Sequence, residues 1–250
     1  VSPVLSAQSS VTALPNGQIE VVANEIWGID KFETLYASTD DHTFLKISRD
    51  TTITYANFQL GKIETVNTFN PLKINLFYRD FNTAIILDNR LAEIQRIDFN
   101  TLQPYRNVTF ISTGSDNNLW LYNQDLQVLE LYDYRFNSTR IKTVPISDVI
   151  LDMKSDYNYC YLLTEDHLYI YTYFGNLETK LPNNGYEKMA FSESNLVLKG
   201  DANYYYYDRQ NKTIIPIEGN YLLINQFLVT NQTLYLYRDH FLYRYQLKIN

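Results

Sequence analysis

The chain carries one cysteine, Cys160, among 250 residues, which excludes an internal disulfide framework. That cysteine stands between Tyr159 and Tyr161 on an apolar run, where packing is its expected job, because a reactive thiol wants an accessible, electropositive setting. Glycine is scarce, at eight residues, and no glycine-rich loop able to cradle phosphate occurs. The Gly-x-Ser-x-Gly, His-Glu-x-x-His and aspartate-rich calcium-loop patterns are missing too, so no catalytic residue, metal site or cofactor is expected. No apolar stretch approaches the roughly 18 residues of a membrane-spanning helix, and no membrane insertion is expected. Basic residues are scattered, as at Lys142, Lys154 and Lys180, and the net charge is −7. This balance excludes the clustered basic surface that nucleic acid requires. Helical periodicity and linker-like segments are absent as well.

What the chain does have is a beat. A short apolar run, a turn bearing an aspartate, a second apolar run and a turn ending in asparagine return along its length. The turn aspartates are Asp41, Asp88, Asp125, Asp166, Asp201 and Asp239. Asn82, Asn118, Asn158, Asn195 and Asn231 precede the first run of successive units, as suits a residue that tolerates left-handed backbone in tight turns. Prolines at 71, 104, 145, 182 and 216 keep the same beat and mark rim strands or the connections leaving them, since proline cannot donate to a ladder. A period near 40 residues built of short strands implies units that bury their faces only against neighbours. Each unit reads as an inner strand a, a hairpin b–c around the aspartate, and an outer strand d.

The last unit supplies Tyr221 to Thr230 as strand a, Leu234 to Tyr237 as b and Phe241 to Ile249 as c, and lacks a fourth strand. The run from Gln18 to Asn24 has no unit of its own, and the first full unit opens at Ile26-Trp27-Gly28-Ile29. Placing that early run as the outer strand of the last unit closes a ring and removes two sheet edges that otherwise invite aggregation. The sequence therefore predicts an all-β, six-bladed propeller of four-stranded antiparallel blades, with the N-terminal strand completing the last blade. Residues 18–250 form the expected single domain, and residues 1–17 a signal-peptide remnant or flexible arm. Leu5-Ser6-Ala7 before Gln8 resembles a signal-peptidase site, and Gln8 stands where lipid attachment needs cysteine. Export to the periplasm or the extracellular space without lipidation is the resulting expectation. Extra length between 59 and 70 marks a longer strand or an added loop in the first repeat.

Three histidines, His42, His167 and His240, each follow a turn aspartate. Their spacing around a ring keeps them too far apart to share a zinc ion, whose ligands approach to about 2.0 Å, so these turns read as structural. Four Asn-x-Ser/Thr sequons, at Asn107, Asn137, Asn211 and Asn231, match chance at this composition. Among 23 tyrosines, the consecutive Tyr204, Tyr205, Tyr206 and Tyr207 point to both faces of a strand, and some hydroxyls are expected to reach solvent as a binding platform. Trp27 on the first inner strand joins them. Asp30, Asp148 and Asp152 lie on inner strands or their ends, where a carboxylate pair held at the right separation would do acid–base work.

In its repeat and strand-exchange closure, from about Gln18 to Asn250, the chain resembles the β-propeller superfamily. It lacks the Gly-His and Trp-Asp pairs of WD40 repeats and the paired glycines of kelch repeats. The resemblance implies a fold and a habit of binding on the faces of the ring, and transfers no functional residue. The leading functional expectation is a non-catalytic binding or scaffold protein of a bacterial cell envelope, engaging a protein partner through one face. A carbohydrate-binding module using exposed tyrosines is the second reading, and a hydrolase or lyase with carboxylates at the central channel the third.

Overall fold

The computed structural model describes residues 10–221, 224 and 226–250. Apart from one 3₁₀ turn at Arg79–Phe81, every described element is a strand. Strand β1 (Val11–Glu20) is followed by an antiparallel quartet of β2 (Glu25–Ile29), β3 (Leu35–Ser38), β4 (Thr43–Ile47) and β5 (Thr52–Ala56). The next quartet holds β6 (Thr65–Asn67), β7 (Ile74–Tyr78), β8 (Thr83–Leu87) and β9 (Glu93–Asp98). Then come β10 (Val108–Thr113), β11 (Asn118–Asn123), β12 (Val128–Asp133) and β13 (Ser138–Lys142), and after them β14 (Ile150–Ser155), β15 (Tyr159–Thr164), β16 (His167–Thr172) and β17 (Leu177–Pro182). The remaining strands are β18 (Tyr186–Ser192), β19 (Asn195–Gly200), β20 (Tyr204–Asp208), β21 (Thr213–Glu218), β22 (Gln226–Thr230), β23 (Thr233–Arg238) and β24 (Phe241–Ile249).

Hydrogen bonding groups these strands into four four-stranded sheets and one eight-stranded sheet, which corrects the expectation of six separate blades. The large sheet runs β18-β19-β20-β21-β1-β24-β23-β22. Its two halves join where β1 meets β21 in parallel, through Val11 opposite Ile217 and Thr12 opposite Glu218. On its other side β1 pairs antiparallel with β24 from Val11 opposite Ile249 to Glu20 opposite Phe241, as the strand-exchange reading expected. The strand begins at Val11 and not at Gln18, so residues 11–17 belong to the sheet and not to an arm. A register shift between Pro15 and Gln18 absorbs the Pro-Asn-Gly break, with Gly17 at φ +86°. The suggested peptidase site at Leu5-Ser6-Ala7 lies outside the described residues.

The inner strands touch in cyclic order, β2 to β6, β10, β14, β18 and β22, and β22 returns to β2. Burial follows position across each quartet. The b strands β7, β11 and β19 are buried at every residue, because neighbouring sheets cover both their faces, and they read in sequence as continuous apolar runs. The d strands β5 and β13 alternate exposed and half-buried residues at the rim. Between successive sheets lie separate apolar cores, such as Phe77, Ile86, Leu119 and Tyr132 between the β6–β9 and β10–β13 sheets, and Tyr161, Leu163, Leu196 and Leu198 between β14–β17 and β18–β21.

Most of the turn aspartates fall between b and c as expected, but Asp88 follows β8 and lies in a c–d turn. The b–c turn of that quartet holds Asp80. Both turns set an asparagine close to the aspartate, so the beat slips by one strand there. Pro182 and Pro216 sit in d strands and Pro104 and Pro145 in d-to-a connections, whereas Pro71 lies in the β6–β7 turn. The last inner strand is shorter than expected, at Gln226–Thr230, and Leu222, Leu223 and Asn225 lie outside the described residues.

Candidate functional site

Antiparallel quartets place their a–b and c–d turns at one end of the ring and their b–c turns and d-to-a connections at the other. The extra residues at 59–70 divide between both ends: the β5–β6 connection, β6 itself and the β6–β7 turn. In that last turn Phe69 packs edge-on against Tyr157 of the β14–β15 turn at 5.1 Å between centroids, and against Phe191 of β18 at 6.4 Å. Strands β6 and β18 stand three steps apart around the ring of inner strands, so a contact between them crosses its centre. Phe191 in turn stacks near Tyr161 at 4.9 Å. The a–b end of the channel is therefore filled by aromatic rings.

The same turn is fastened to its neighbours. Asn67 Nδ2 donates to Ser112 Oγ at 3.0 Å, and Lys73 Nζ donates to Asn117 Oδ1 at 3.0 Å. Ser155 Oγ donates to Ser112 Oγ at 2.7 Å, extending the chain of contacts to a third sheet. On the other side Thr68 rests against Gly28, where an added Cβ would meet Thr68 Oγ1 at 2.1 Å. Gly28→Ala is expected to cost about 1–3 kcal/mol through overpacking, measured by urea unfolding. Adding Thr68→Ala, which removes the clashing oxygen, is expected to recover most of that loss; equal stability of the two variants would contradict this packing account.

The b–c end is different in kind. A pocket of about 260 Å³ lies beside the junction of β22 and β2 and is lined by Glu25, Trp27, Ser38, Asp41, Lys62 and Gln226 among others. Trp27 is half-buried, and its Nε1 donates to Ser38 Oγ at 2.7 Å. Burial raises the Glu25 carboxyl above its ordinary value, with the charges of Lys62 and Lys188 opposing the shift. A shallower hollow of about 510 Å³ shares Asn24 and Gln226 with it and continues toward Tyr237, Asp239 and His240. Of the expected site residues, Trp27 alone lines either hollow.

The others are occupied within the fold. Asp30 Oδ1 accepts from the backbone N–H groups of Phe32 at 2.8 Å and Thr34 at 3.0 Å, and Tyr36 donates to its Oδ2 at 3.2 Å, so it caps the β2–β3 turn. Asp152 Oδ2 accepts from Met189 N at 2.8 Å and ties β14 to β18, while its Oδ1 pairs with Lys154 at 3.2 Å. Asp30, in the β2–β3 turn, and Asp152, on β14, lie at opposite sides of the ring and do not form an acid–base pair. Strand β20 is partly covered by its neighbours, with Tyr205 and Tyr206 half-buried. Tyr204 and Tyr207 are buried, Tyr204 both donates to Ile224 O at 2.9 Å and accepts from Ile224 N at 3.0 Å, Tyr205 meets the Tyr186 ring at 4.9 Å, and Tyr206 donates to Asn195 Oδ1 at 3.0 Å.

Two of the three histidine side chains have a local partner. His42 Nδ1 contacts Gly61 O at 2.8 Å, and its turn is capped by Asp40, whose Oδ1 accepts from His42 N and Thr43 N at 2.8 Å each; Asp41 was the residue expected in that role. His167 Nδ1 lies 2.9 Å from Asp148 Oδ2, the oxygen that also accepts from Tyr169 OH at 2.8 Å and Thr164 Oγ1 at 3.2 Å. Burial raises the Asp148 carboxyl and the hydrogen bonds from His167, Tyr169 and Thr164 more than offset it, leaving it below the usual range. Burial, followed by the Asp148 hydrogen bond, pushes the Tyr169 hydroxyl up to about 12. Among the described residues no group of three or more histidine, cysteine, aspartate or glutamate side chains is arranged to hold a metal ion. Cys160 is fully buried, and burial raises its thiol well above the ordinary value, which disfavours the reactive thiolate.

No family model matches the chain, and no curated protein matches its sequence. Solved structures do match its shape. A chain of the mitotic checkpoint complex superposes with a TM-score of 0.67 at 10% identity, covering 98% of this chain and 95% of that one. The Pan2 WD40 domain of Neurospora crassa gives 0.62 at 12% identity, covering 94% and 95%. Virginiamycin B lyase from Staphylococcus aureus, in an inactive form with quinupristin, gives 0.59 at 9%, covering 96% and 99%. At such identities the likeness concerns the fold alone, and that fold is an all-β propeller.

Proposed function

We propose that this chain is a non-catalytic binding or scaffold protein of a bacterial cell envelope, exported and not lipidated, that engages a protein partner through one face of its ring. In this reading the ring counts as six four-stranded units, the last two joined through β1, and forms one domain. The observation that carries the proposal is the exposure of large apolar side chains on one end of an otherwise well-packed ring: at the b–c end Phe58 and Val144 are each 75% exposed and Val149 57%. Apolar groups held out on rigid turns suit a protein interface. The engagement of Asp30 and Asp152 within the fold, and the burial of Tyr204 and Tyr207, favour this reading over the enzymatic and glycan-binding ones. Among solved propellers of similar shape, one belongs to the mitotic checkpoint complex, a multi-protein assembly by its name. Export rests on the Leu5-Ser6-Ala7 sequence, and no described helix is long and apolar enough to cross a membrane.

The test is cross-linking of tagged protein in the producing cell, followed by pull-down and mass spectrometry against an untagged control. A reproducible, near-stoichiometric envelope protein is the expected result. Recovery of the uncross-linked chain alone would overturn the scaffold reading.

A further inference from the structure

The two ends of the ring differ in charge. Every b–c turn holds an aspartate, at Asp41, Asp80, Asp125, Asp166, Asp201 and Asp239, and Asp40 and Glu165 add to them. Basic side chains at this end are fewer: Arg79 and Arg238 border the turns, Arg238 paired with Asp239 at 2.9 Å, and Lys62 of the β5–β6 connection stands beside Asp41. At the opposite end the a–b and c–d turns mix the signs: Lys31, Arg49, Lys73, Arg90 and Arg135 stand among Asp30, Asp50, Asp88 and Asp116. The cations there also cover apolar rings, with Lys31 5.3 Å from the Phe32 centroid and Arg135 5.6 Å from that of Phe136.

On the acidic end, exposed apolar side chains follow one another round one side of the ring. Phe58 lies in the β5–β6 connection, Phe81 in the β7–β8 turn, Tyr105 in the β9–β10 connection, Leu126 in the β11–β12 turn, and Val144 and Val149 in the β13–β14 connection. They are built into that end of the ring. Phe58 packs on His42 at 5.6 Å, and the Phe81 ring lies over Gly61, 3.3 Å from where a Cβ would stand. The end therefore offers apolar contacts in a field of carboxylates, while the channel is filled with aromatic rings at the far end.

Resting on the protein-binding reading above, we infer that the b–c end of the ring binds a protein segment in which apolar side chains are interspersed with lysine and arginine. The apolar groups of such a segment cover Phe58, Tyr105 and Val144, and its cations face the turn aspartates. A surplus of carboxylates over cations repels acidic partners and speeds encounter with basic ones, an effect that salt screens. Fixed turns hold the contact groups in place, so little ordering of this chain opposes association.

Fluorescence anisotropy with two labelled peptides tests the inference, one alternating leucine with lysine and one alternating leucine with glutamate. The lysine peptide is expected to bind, to weaken about tenfold or more between about 50 and about 500 mM salt, and to weaken roughly fivefold with the doubly substituted D41N/D80N or F58A/V144A proteins. These side chains are exposed or make no side-chain hydrogen bond that holds the fold, and far-ultraviolet circular dichroism confirms folding before titration. The F32A/F174A protein, altered at the opposite end, is expected to bind unchanged. Equal binding of the glutamate peptide, no binding of either peptide, or an equal loss with F32A/F174A overturns the inference. Sedimentation showing a dimer that the F58A/V144A protein does not form overturns it as well. If the cellular cross-links recover a partner attached through Phe32 or Phe174, the scaffold reading stands and this assignment falls; if they recover no partner, the scaffold reading itself falls.

Discussion

Glu130→Ala is expected to lower the unfolding free energy by about 3–5 kcal/mol, seen as a drop in the urea midpoint at an unchanged slope. Glu130 and Arg106 are a buried pair, with side chains 4% and 3% exposed and Arg106 Nε 3.2 Å from Glu130 Oε2. Thr139 Oγ1 donates to the same oxygen at 2.6 Å, and Asn123 Nδ2 donates to Oε1 at 3.1 Å. The guanidinium also donates to Pro104 O at 2.9 Å and to Thr139 Oγ1 at 3.0 Å, and lies over the Tyr132 ring at 4.8 Å. Alanine leaves that guanidinium in the interior without its carboxylate, which is why the loss exceeds the worth of an ordinary ion pair. Replacing both partners with well-packed apolar residues is expected to cost much less.

The same site sets a pH dependence. Burial raises the Glu130 carboxyl, but the hydrogen bonds from Thr139, Asn123 and Arg106, with the Arg106 charge, outweigh it and hold the group below the ordinary carboxylate value. A folded value below the unfolded one means the unfolded chain binds the proton more tightly. The contribution is therefore complete above the unfolded value of about 4.3 and disappears as pH falls through the lower folded value. Glu130→Gln is expected to show a shallower fall of stability in that acid range than the unaltered protein. Parallel curves would show that the carboxylate titrates alike in both states.

Val11→Asp is expected to lose at least about 4 kcal/mol, because it sets an uncompensated charge in a core. Val11 is wholly buried and, with Thr12, is where β1 pairs with both β21 and β24. Its surroundings include Ala13, Ile217, Phe227, Leu234 and Leu247. Ile19→Asp, on the same strand at a side chain 41% exposed, is expected to change stability by no more than about 0.5 kcal/mol. Comparable losses from the two substitutions would mean that the closing strand acts only through its backbone.

Strand order was legible in the sequence because burial on both sides turns each b strand into an unbroken apolar run, as in Leu119-Trp120-Leu121-Tyr122, and because turns punctuate those runs with aspartate and asparagine. The slip at Asp88 came from the same signal, since Asp88-Asn89 looks like a b–c turn although Asp80-Phe81-Asn82 forms it. The early start of β1 was hidden by Pro15-Asn16-Gly17, a breaker in sequence and a bulge in the sheet. Site geometry was less legible. Phe69 meets Phe191, and Arg106 meets Glu130, through the stacking of sheets, which no local pattern announces. The surplus at 59–70 did point to the turn that fills the channel, although not to its aromatic contacts. The run Tyr204 to Tyr207 marks two faces of a strand without telling how far neighbours cover each: Tyr204 and Tyr207 are buried and Tyr205 and Tyr206 half-buried.

The bond from Asn250 N to Ser10 O at 3.0 Å brings together residues translated at opposite extremes of the ring. Strand β1 precedes every other described strand in the chain, yet its partners β21 and β24 are among the late ones, so β1 waits for them through the synthesis of most of the ring. Growing chains usually gain structure from the N-terminus onward, and unpaired strand edges are their aggregation hazard. That hazard lasts until β21 and then β24 emerge, which makes the nascent half-ring, and not the finished protein, the form most in need of a chaperone.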